Sequence, residues 1–354
     1  MSPDFKNLLS EFNAHGVDDP VMTGMFRRIG AGICACSLAL VACHTYGQGD
    51  GMPADLAAQV AAIGREIDPP KTAVLYAPLQ EKEPYAGVKV LRDAKYGPDD
   101  RNLLDVFSPE NAAAPRPVLI YVHGGGWVAG NKRAPGSPFY DNINLWAVRH
   151  GMVGVNMTYR LAPAATWPSG AEDLAKAVDW VVANIGSYGG DPSRIYFMGN
   201  SAGATHVADY LAHAAAKQPA DRRVAGAILL SGVYDLVTFD HAARSLGDGV
   251  AVRDSGRIEG GPLKTYFGED SSRYAERSAI HGLLKSPVPL LVSHAEFDPP
   301  AFEKQAQELR DALCKSARGC QTFLVLPKHN HLTQVQSINT SDATLTRHVL
   351  SFVR

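Results

Sequence analysis

Cysteine is scarce in this chain: only five occur among 354 residues, and three of them, Cys34, Cys36 and Cys43, fall within the first fifty. Neither positive nor negative charge predominates, since the formal net charge is −2 and no basic stripe occurs. This balance argues against nucleic acid and anionic membrane surfaces as partners. Internal repeats and low-complexity tracts are absent as well, so a repeat architecture is not expected.

The longest apolar stretch lies near the N-terminus and is too short to span a bilayer. It covers residues 29–42 and follows the basic pair Arg27–Arg28. This order is typical of a signal peptide, here at about residues 25–47. Small residues at 45 and 47 suit ordinary signal peptidase, whereas Leu40–Cys43 resembles a lipobox that makes Cys43 a candidate lipid-anchor site. Residues 1–50 are therefore predicted to be a leader, and the protein is predicted to be exported, either to the periplasm, into the medium or as an anchored lipoprotein. The alternative for the apolar stretch is a short buried helix.

The two remaining cysteines form one even pair. Cys314 and Cys320 have five residues between them, where a predicted helix gives way to a strand. In an oxidising compartment they can close a small disulfide loop, although the spacing alone does not exclude two independent thiols.

Apolar runs alternate with helical patterns along residues 51–354, and 45% of the chain is apolar. This predicts one α/β domain, with a mostly parallel central sheet and helices on both faces. The predicted strands are 88–91, 103–107, 117–122, 153–157, 194–198, 224–230, 289–293 and 322–326. The predicted helices are 53–68 (ended by Pro69–Pro70), 140–150, 172–185, 202–216, 301–316 and 343–352. Residues 235–284 break the alternation and are predicted to form a small lid insertion, packed over the pocket with helix 53–68.

Ser201 lies in a pattern typical of an enzymatic nucleophile. Gly199–Gly203 reads G-N-S-A-G, between a predicted strand and a predicted helix. A sharp turn at this place leaves no room for Cβ atoms beside the serine and lifts its Oγ above the sheet edge. A second motif, H-G-G-G-W at His123–Trp127, ends the strand 117–122. Its glycines allow backbone N–H groups to point at an anion, although a flexible surface turn is the alternative.

Together these motifs resemble the α/β-hydrolases of the esterase and lipase kind, particularly the hormone-sensitive-lipase-like and feruloyl-esterase-like carboxylesterases. Further matching stretches are 159–163 (Y-R-L-A-P), 190–192 (G-D-P) and 298–299 (D-P). The resemblance covers roughly residues 75–354. It implies that the N–H groups of Gly125, Gly126 and Ala202 form an oxyanion hole. Trp127 and Tyr159 are candidate substrate neighbours, and His123 is expected to brace the glycine loop.

A serine hydroxyl needs a general base, and in this fold the order along the chain is serine, acid, histidine. Asp298 matches the family's acid before a proline, with Glu296 as the second candidate. Two histidines, His329 and His331, follow the last predicted strand. His331 is favoured because the related enzymes carry their histidine before an apolar residue and a helix. A metal site at the H-x-H pair lacks a third clustered ligand and is poorly supported.

The predicted activity is serine-dependent hydrolysis of carboxylic esters with short or aromatic acyl groups, through an acyl-enzyme. No cofactor and no metal are expected, and the expected partner is a small-molecule ester. Kynurenine formamidases share the H-G-G-x-W feature, so amide hydrolysis of an N-formyl arylamine is an alternative. A non-catalytic binding module on the same fold is a third hypothesis, which the presence of serine, acid and histidine disfavours.

Overall fold

Eight strands form one sheet in the order β1-β2-β4-β3-β5-β6-β7-β8. The computed structural model describes residues 51–111, 114–214, 224–245 and 261–353. The strands are β1 Val88–Lys95, β2 Leu103–Pro109, β3 Arg116–Val122, β4 Val153–Met157, β5 Gly190–Asn200, β6 Val224–Leu230, β7 Leu290–Phe297 and β8 Thr322–Asn330. Strand β2 runs antiparallel to both of its neighbours, and all pairings from β4 to β8 are parallel. The predicted fold class is therefore confirmed.

Helices cover both faces of this sheet. They are α1 Ala54–Ile63, α2 Pro69–Tyr76, α3 Asp141–Arg149, α4 Ser169–Asn184, α5 Ala202–Asp209, α6 Leu236–Ser245, α7 Gly261–Phe267, α8 Tyr274–Arg277, α9 Ile280–Leu283, α10 Pro300–Lys315, α11 Thr333–Gln336 and α12 Thr346–Phe352. The central strands β3, β4 and β6 are apolar apart from Arg116 and Asn156, as expected for strands covered on both faces. Two apolar cores result, one on each face. Among the described helices, none is both long and apolar enough to cross a bilayer.

The N-terminal helical region differs from its prediction. One helix was predicted over 53–68, ended by Pro69–Pro70, but α1 ends at Ile63 and the two prolines begin α2. The carboxylate of Asp68 caps the new helix by accepting from the Lys71 N–H at 3.0 Å. Proline suits the first helical position because its missing N–H would have no helical partner there. The prolines therefore mark a helix start, and the prediction of a helix end was wrong.

The segment between β6 and β7 contains the four short helices α6 to α9. It occupies the region that the sequence marked as a lid, although residues 246–260 of that region lie outside the described residues. The predicted leader, residues 1–50 with Cys43, also lies outside them. Cys314 at the end of α10 and Cys320 before β8 form a disulfide, so of the two alternatives that the spacing left open the structure has the closed loop.

Candidate active site

Ser201 lies at the turn between β5 and α5, in a backbone conformation that residues other than glycine rarely adopt. Its φ and ψ angles are 56° and −124°. A Cβ atom on Gly203 would lie 2.1 Å from the Val122 carbonyl oxygen, and one on Gly199 would lie 2.5 Å from the Gly203 backbone. Both positions therefore require glycine. The strained turn projects the serine from the carboxyl end of the strand, as a nucleophile elbow does.

The glycine loop after β3 lies directly beside this turn. A Cβ atom on Gly124 would come within 3.2 Å of the Ser201 Cβ. The next three residues, Gly125, Gly126 and Trp127, have φ angles of 127°, 58° and 64°. Gly124, the first glycine of this loop, therefore lies against Ser201, and Ala202 follows the serine as the first residue of α5. The predicted oxyanion donors Gly125 and Gly126 come directly after Gly124 in the chain.

Asp298 and His331 form a buried pair. The His331 Nδ1 lies 2.7 Å from the Asp298 Oδ1, and both side chains are almost completely inaccessible to solvent. The second carboxylate oxygen accepts from the Ser231 hydroxyl at 2.6 Å and from the Ala295 N–H at 2.7 Å. These bonds compensate the buried charge and orient the carboxylate toward the imidazole.

The other imidazole nitrogen, His331 Nε2, is buried and has no hydrogen-bond partner within the described part of the chain. The Asn200 side chain connects the base loop to the elbow, because its amide donates to the His331 carbonyl at 3.3 Å and to the Leu230 carbonyl at 3.4 Å. The Leu230 carbonyl also accepts from the Ser201 N–H at 2.9 Å. Residues 201 and 331 therefore lie on adjoining loops, with one imidazole nitrogen left to bind a proton.

His329, the second candidate base, belongs to a different pair. Its Nδ1 lies 3.1 Å from the Thr333 hydroxyl and its Nε2 lies 3.2 Å from the Asp342 Oδ2. Burial raises the pKa of Asp342, but His329 and Thr344 outweigh it, so the pKa lies below its ordinary value. Both nitrogens of His329 thus have polar neighbours, which favours a structural role.

Glu296, the second candidate acid, is exposed to solvent at the end of β7. Its carboxylate accepts from the Lys328 N–H at 2.7 Å. It therefore connects the ends of two neighbouring strands, while Asp298 makes the contact with the imidazole of His331.

His123 and Tyr159 support the glycine loop from behind. The Tyr159 hydroxyl donates to the His123 carbonyl at 2.8 Å, and the two rings stack at 4.3 Å. Burial lowers the pKa of His123 to about 3, so the ring is neutral at ordinary pH. Tyr159, predicted as a substrate neighbour, is fully buried and uses its hydroxyl in this bond. Its position favours a supporting role over contact with a substrate, because its ring is covered by the protein itself.

Trp127, the other predicted substrate neighbour, packs into an aromatic cluster with two rings of α7, Tyr266 and Phe267. It is also nearly buried. The Phe302 ring of the same apolar cluster lies 4.4 Å from the imidazole of His331. An apolar, aromatic wall thus joins the glycine loop to the base.

Sequence reasoning did not find three residues that orient this site: Asn200, Ser231 and Gln334. Gln334 donates to the Ser231 hydroxyl at 2.7 Å and to the His331 carbonyl at 2.9 Å. A signal existed for Ser231, because it directly follows β6 at the sheet edge where ligands bind in α/β folds. Among the described residues, no group of three or more His, Cys, Asp or Glu is arranged to hold a metal ion.

The fold is similar to solved esterase structures. Esterase B from Lactobacillus rhamnosus matches with a TM-score of 0.64 and 19% identity, covering 84% of this chain and 94% of that one. A bacterial heroin esterase matches with a TM-score of 0.62 and 21% identity, covering 85% and 98%. At such identities the likeness establishes the fold.

Curated relatives match over the same region. Esterase LipQ of Mycobacterium tuberculosis is 31% identical over 249 residues, which are 68% of this chain and 56% of the relative. The isoprenylcysteine alpha-carbonyl methylesterase ICME of Arabidopsis thaliana is 33% identical over 255 residues, covering 67% and 55%. The chain thus spans a little over half the length of these relatives.

The sequence model of the BD-FAE family matches residues 104–313, more than half of the chain. This range contains the glycine loop, the elbow and Asp298, and it ends before His331. With the α/β-hydrolase sheet and its parallel strand order, the match leads to one conclusion: the chain belongs to the BD-FAE family of α/β-hydrolase esterases.

Proposed function

We propose that this protein is a serine carboxylesterase, with Ser201 as nucleophile, His331 as general base and Asp298 as the acid that orients it. One observation carries the proposal: the buried imidazole of His331 is held by Asp298 at 2.7 Å, and its other nitrogen has no partner within the described residues. An imidazole held at one nitrogen and open at the other, beside a strained serine, is equipped to take a hydroxyl proton.

The reaction runs through a covalent intermediate. His331 Nε2 takes the proton of the Ser201 hydroxyl as Oγ attacks the ester carbonyl carbon. The N–H groups of Gly125, Gly126 and Ala202 donate to the oxyanion that forms. The C–O bond to the alcohol then breaks, and the alcohol leaves with the proton from His331. Water repeats the attack on the acyl-enzyme, releases the acid and restores the serine.

An uncharged ester is the expected substrate class. The aromatic wall beside the site presents Trp127 and Phe302 to an acyl or alcohol group, with the fully buried Phe267 packed behind Trp127. Short acyl chains and aromatic acyl groups both suit this surface.

Comparison of two substrates tests the reaction class. The purified protein should hydrolyse p-nitrophenyl acetate far faster than N-formylkynurenine, and a Ser201→Ala variant should hydrolyse neither. A preference for N-formylkynurenine by orders of magnitude would assign the protein to amide hydrolysis instead. The wild-type protein could also be folded and yet hydrolyse neither substrate nor any acyl ester in a chain-length series. That result would support the hypothesis of a non-catalytic binding module.

Export of the protein is a separate proposal, based on the leader-like composition of residues 25–47. The Cys314–Cys320 disulfide supports it, because such bonds persist in oxidising compartments. Mass spectrometry of the protein from its native host decides among the routes. A mature N-terminus near residue 48 indicates ordinary cleavage, a lipid on Cys43 indicates an anchor, and an intact N-terminus would contradict export.

A further inference from the structure

Tyr266 lies in the segment between β6 and β7 and packs against the last residue of the glycine loop. It lies on α7, is fully buried, and stacks on Trp127 with a centroid distance of 6.2 Å and an interplanar angle of 11°. Its neighbour Phe267 packs edge-on against the same indole at 5.2 Å. Two adjacent rings of the lid thus hold the last residue of the H-G-G-G-W motif.

The residue they hold has an unfavourable backbone conformation. Trp127 has a φ angle of 64°, a region in which bulky residues are rare and strained. Such strain persists only where the surrounding packing maintains it. The peptide plane between Gly126 and Trp127 carries the Gly126 carbonyl and the Trp127 N–H, so relaxation at Trp127 would rotate that plane. The two preceding planes, which carry the predicted oxyanion donors Gly126 N–H and Gly125 N–H, would then have to readjust.

A chain of rings also connects Tyr266 to the beginning of the loop. Tyr266 packs against His206 at 5.2 Å, His206 against Tyr159 at 4.3 Å, and Tyr159 against His123 at 4.3 Å. Burial lowers the pKa of both His123 and His206 to about 3, so these rings are neutral and pack as aromatic groups. Tyr266 therefore contacts the end of the loop directly and its beginning through two intermediate rings.

Hydrogen bonds to the body of the protein fix Tyr266 itself. Its hydroxyl accepts from the Gly170 N–H at 3.0 Å, in the first turn of α4, where backbone donors lack helical partners. Its carbonyl accepts from the Trp167 N–H at 3.0 Å. The ring is thus anchored at two points and can act as a rigid support.

We propose that Tyr266 is a positioning residue of the oxyanion site, acting through Trp127. In this arrangement α7 is a fixed part of the catalytic apparatus, docked on the glycine loop. The inference rests on the proposed ester hydrolysis, because it concerns donors that stabilise the tetrahedral intermediate of that reaction.

Two substitutions at this position separate the ring from its hydroxyl. Tyr266→Leu removes the stack on Trp127 and should lower kcat for p-nitrophenyl acetate about tenfold, with KM changed by less than about threefold. Affinity for an alkyl boronic acid, which forms a tetrahedral adduct with the serine, should fall by a similar factor. Tyr266→Phe keeps the ring and should retain at least about half of kcat.

A matched control is Tyr274→Leu, which removes another buried lid tyrosine whose hydroxyl donates to the Gly268 carbonyl at 3.0 Å. It should leave kcat and boronate affinity close to wild type. If Tyr266→Leu does not fold, Phe267→Leu tests the same indole contact and should lower kcat about threefold. Thermal unfolding confirms that each variant compared is folded.

Unchanged kcat and boronate affinity in folded Tyr266→Leu would overturn the inference, as would an equal loss in Tyr274→Leu or a change confined to KM. These outcomes presuppose an active wild-type enzyme. Absence of both ester hydrolysis and boronate binding in the wild type would instead remove the proposed function, and this inference with it.

Discussion

Two buried histidine–aspartate pairs lie side by side at the carboxyl end of β8, and they differ in one respect. His331 has Asp298 at 2.7 Å on one nitrogen and no partner on the other within the described residues. His329, two positions earlier, has the Thr333 hydroxyl 3.1 Å from Nδ1, while the Asp342 Oδ2 lies 3.2 Å from Nε2 without meeting hydrogen-bond geometry. Both rings are fully buried, so neither burial nor a carboxylate partner distinguishes a general base from a structural histidine.

The difference lies in what the second nitrogen faces. Asp298 orients His331 so that Nε2 remains open, while the Asn200 side chain ties the His331 backbone to the nucleophile turn. His329 instead joins β8 to the segment containing Asp342. A histidine–aspartate pair thus suits catalysis when its second nitrogen faces a nucleophile, and it suits a structural role when polar groups of the fold lie next to both nitrogens, as at His329.

Among the substitutions considered, removal of the His331 imidazole should lower kcat most, whereas removal of the His329 imidazole should change kcat little. We expect His331→Ala to lower kcat by about 10⁴-fold or more, because the general base is lost. His329→Gln should keep kcat within about threefold. Steady-state hydrolysis of p-nitrophenyl acetate by both variants, with circular dichroism as the control for folding, measures the difference. An active His331→Ala together with an inactive His329→Gln would reverse the assignment of the base.

Exchange of the Asp298 carboxylate, the partner of His331, should have the next largest effect on kcat. In Asp298→Asn we expect kcat to fall about 10³–10⁴-fold, because an amide cannot stabilise the imidazolium and favours the wrong tautomer. The matched variant Glu296→Gln changes the exposed runner-up and should remain active. Comparable losses in the two variants would mean that Asp298 is not the orienting acid.

Exchange of the Asp342 carboxylate, the partner of His329, should lower the stability of the fold and leave catalysis intact. Asp342→Asn should lower the free energy of unfolding by about 1–3 kcal/mol at neutral pH, since buried partners lose a charge-assisted contact. The folded pKa of Asp342 is lowered, so its contribution exists above the ordinary carboxyl pKa and is lost as the pH falls through the folded value. Denaturant unfolding at pH 7 and below pH 4 should therefore show a difference that shrinks in acid, and a loss of kcat with unchanged stability would contradict this role.

Asp209 on α5 is another buried carboxyl, and unlike Asp298 and Asp342 it has no hydrogen-bond partner among the described residues. Burial raises its pKa well above the ordinary value, so the folded state keeps a proton that the unfolded state loses. This contribution to stability falls by about 1.4 kcal/mol per pH unit as the pH rises above the ordinary carboxyl pKa, up to the folded value. Asp209→Asn should remove that slope, so the variant should become more stable relative to wild type with rising pH. A difference independent of pH would show that Asp209 is ionised in the folded state.

Much of this arrangement is predictable from the chain because it is local. The elbow follows from two glycines around Ser201 after an apolar strand, and every predicted strand is present within the sheet. The choice between His329 and His331 is harder to make from residue types alone, since both follow β8 and either could face an acid. Their partners are 33 and 13 residues away in the chain, and only the folded loops show which nitrogen stays open.

Other features depend on tertiary packing that no local pattern encodes. The Y-R-L-A-P stretch indicates that Tyr159 lies near the site, but the side from which it meets the glycine loop is set by the sheet. Ser231 and Gln334 are ordinary polar residues until the fold places them against Asp298 and His331. Pro69–Pro70 begins a helix where the sequence predicts a helix end, because a proline pair suits a helix start as well as the region after a helix end.

Labelling with a fluorophosphonate probe, followed by peptide mass spectrometry, tests whether Ser201 is a nucleophile activated by His331. We expect one covalent adduct, on Ser201, in the folded protein at neutral pH, abolished in His331→Ala and retained in His329→Gln. An unlabelled Ser201, an adduct on another residue, or labelling that persists undiminished in His331→Ala would contradict it.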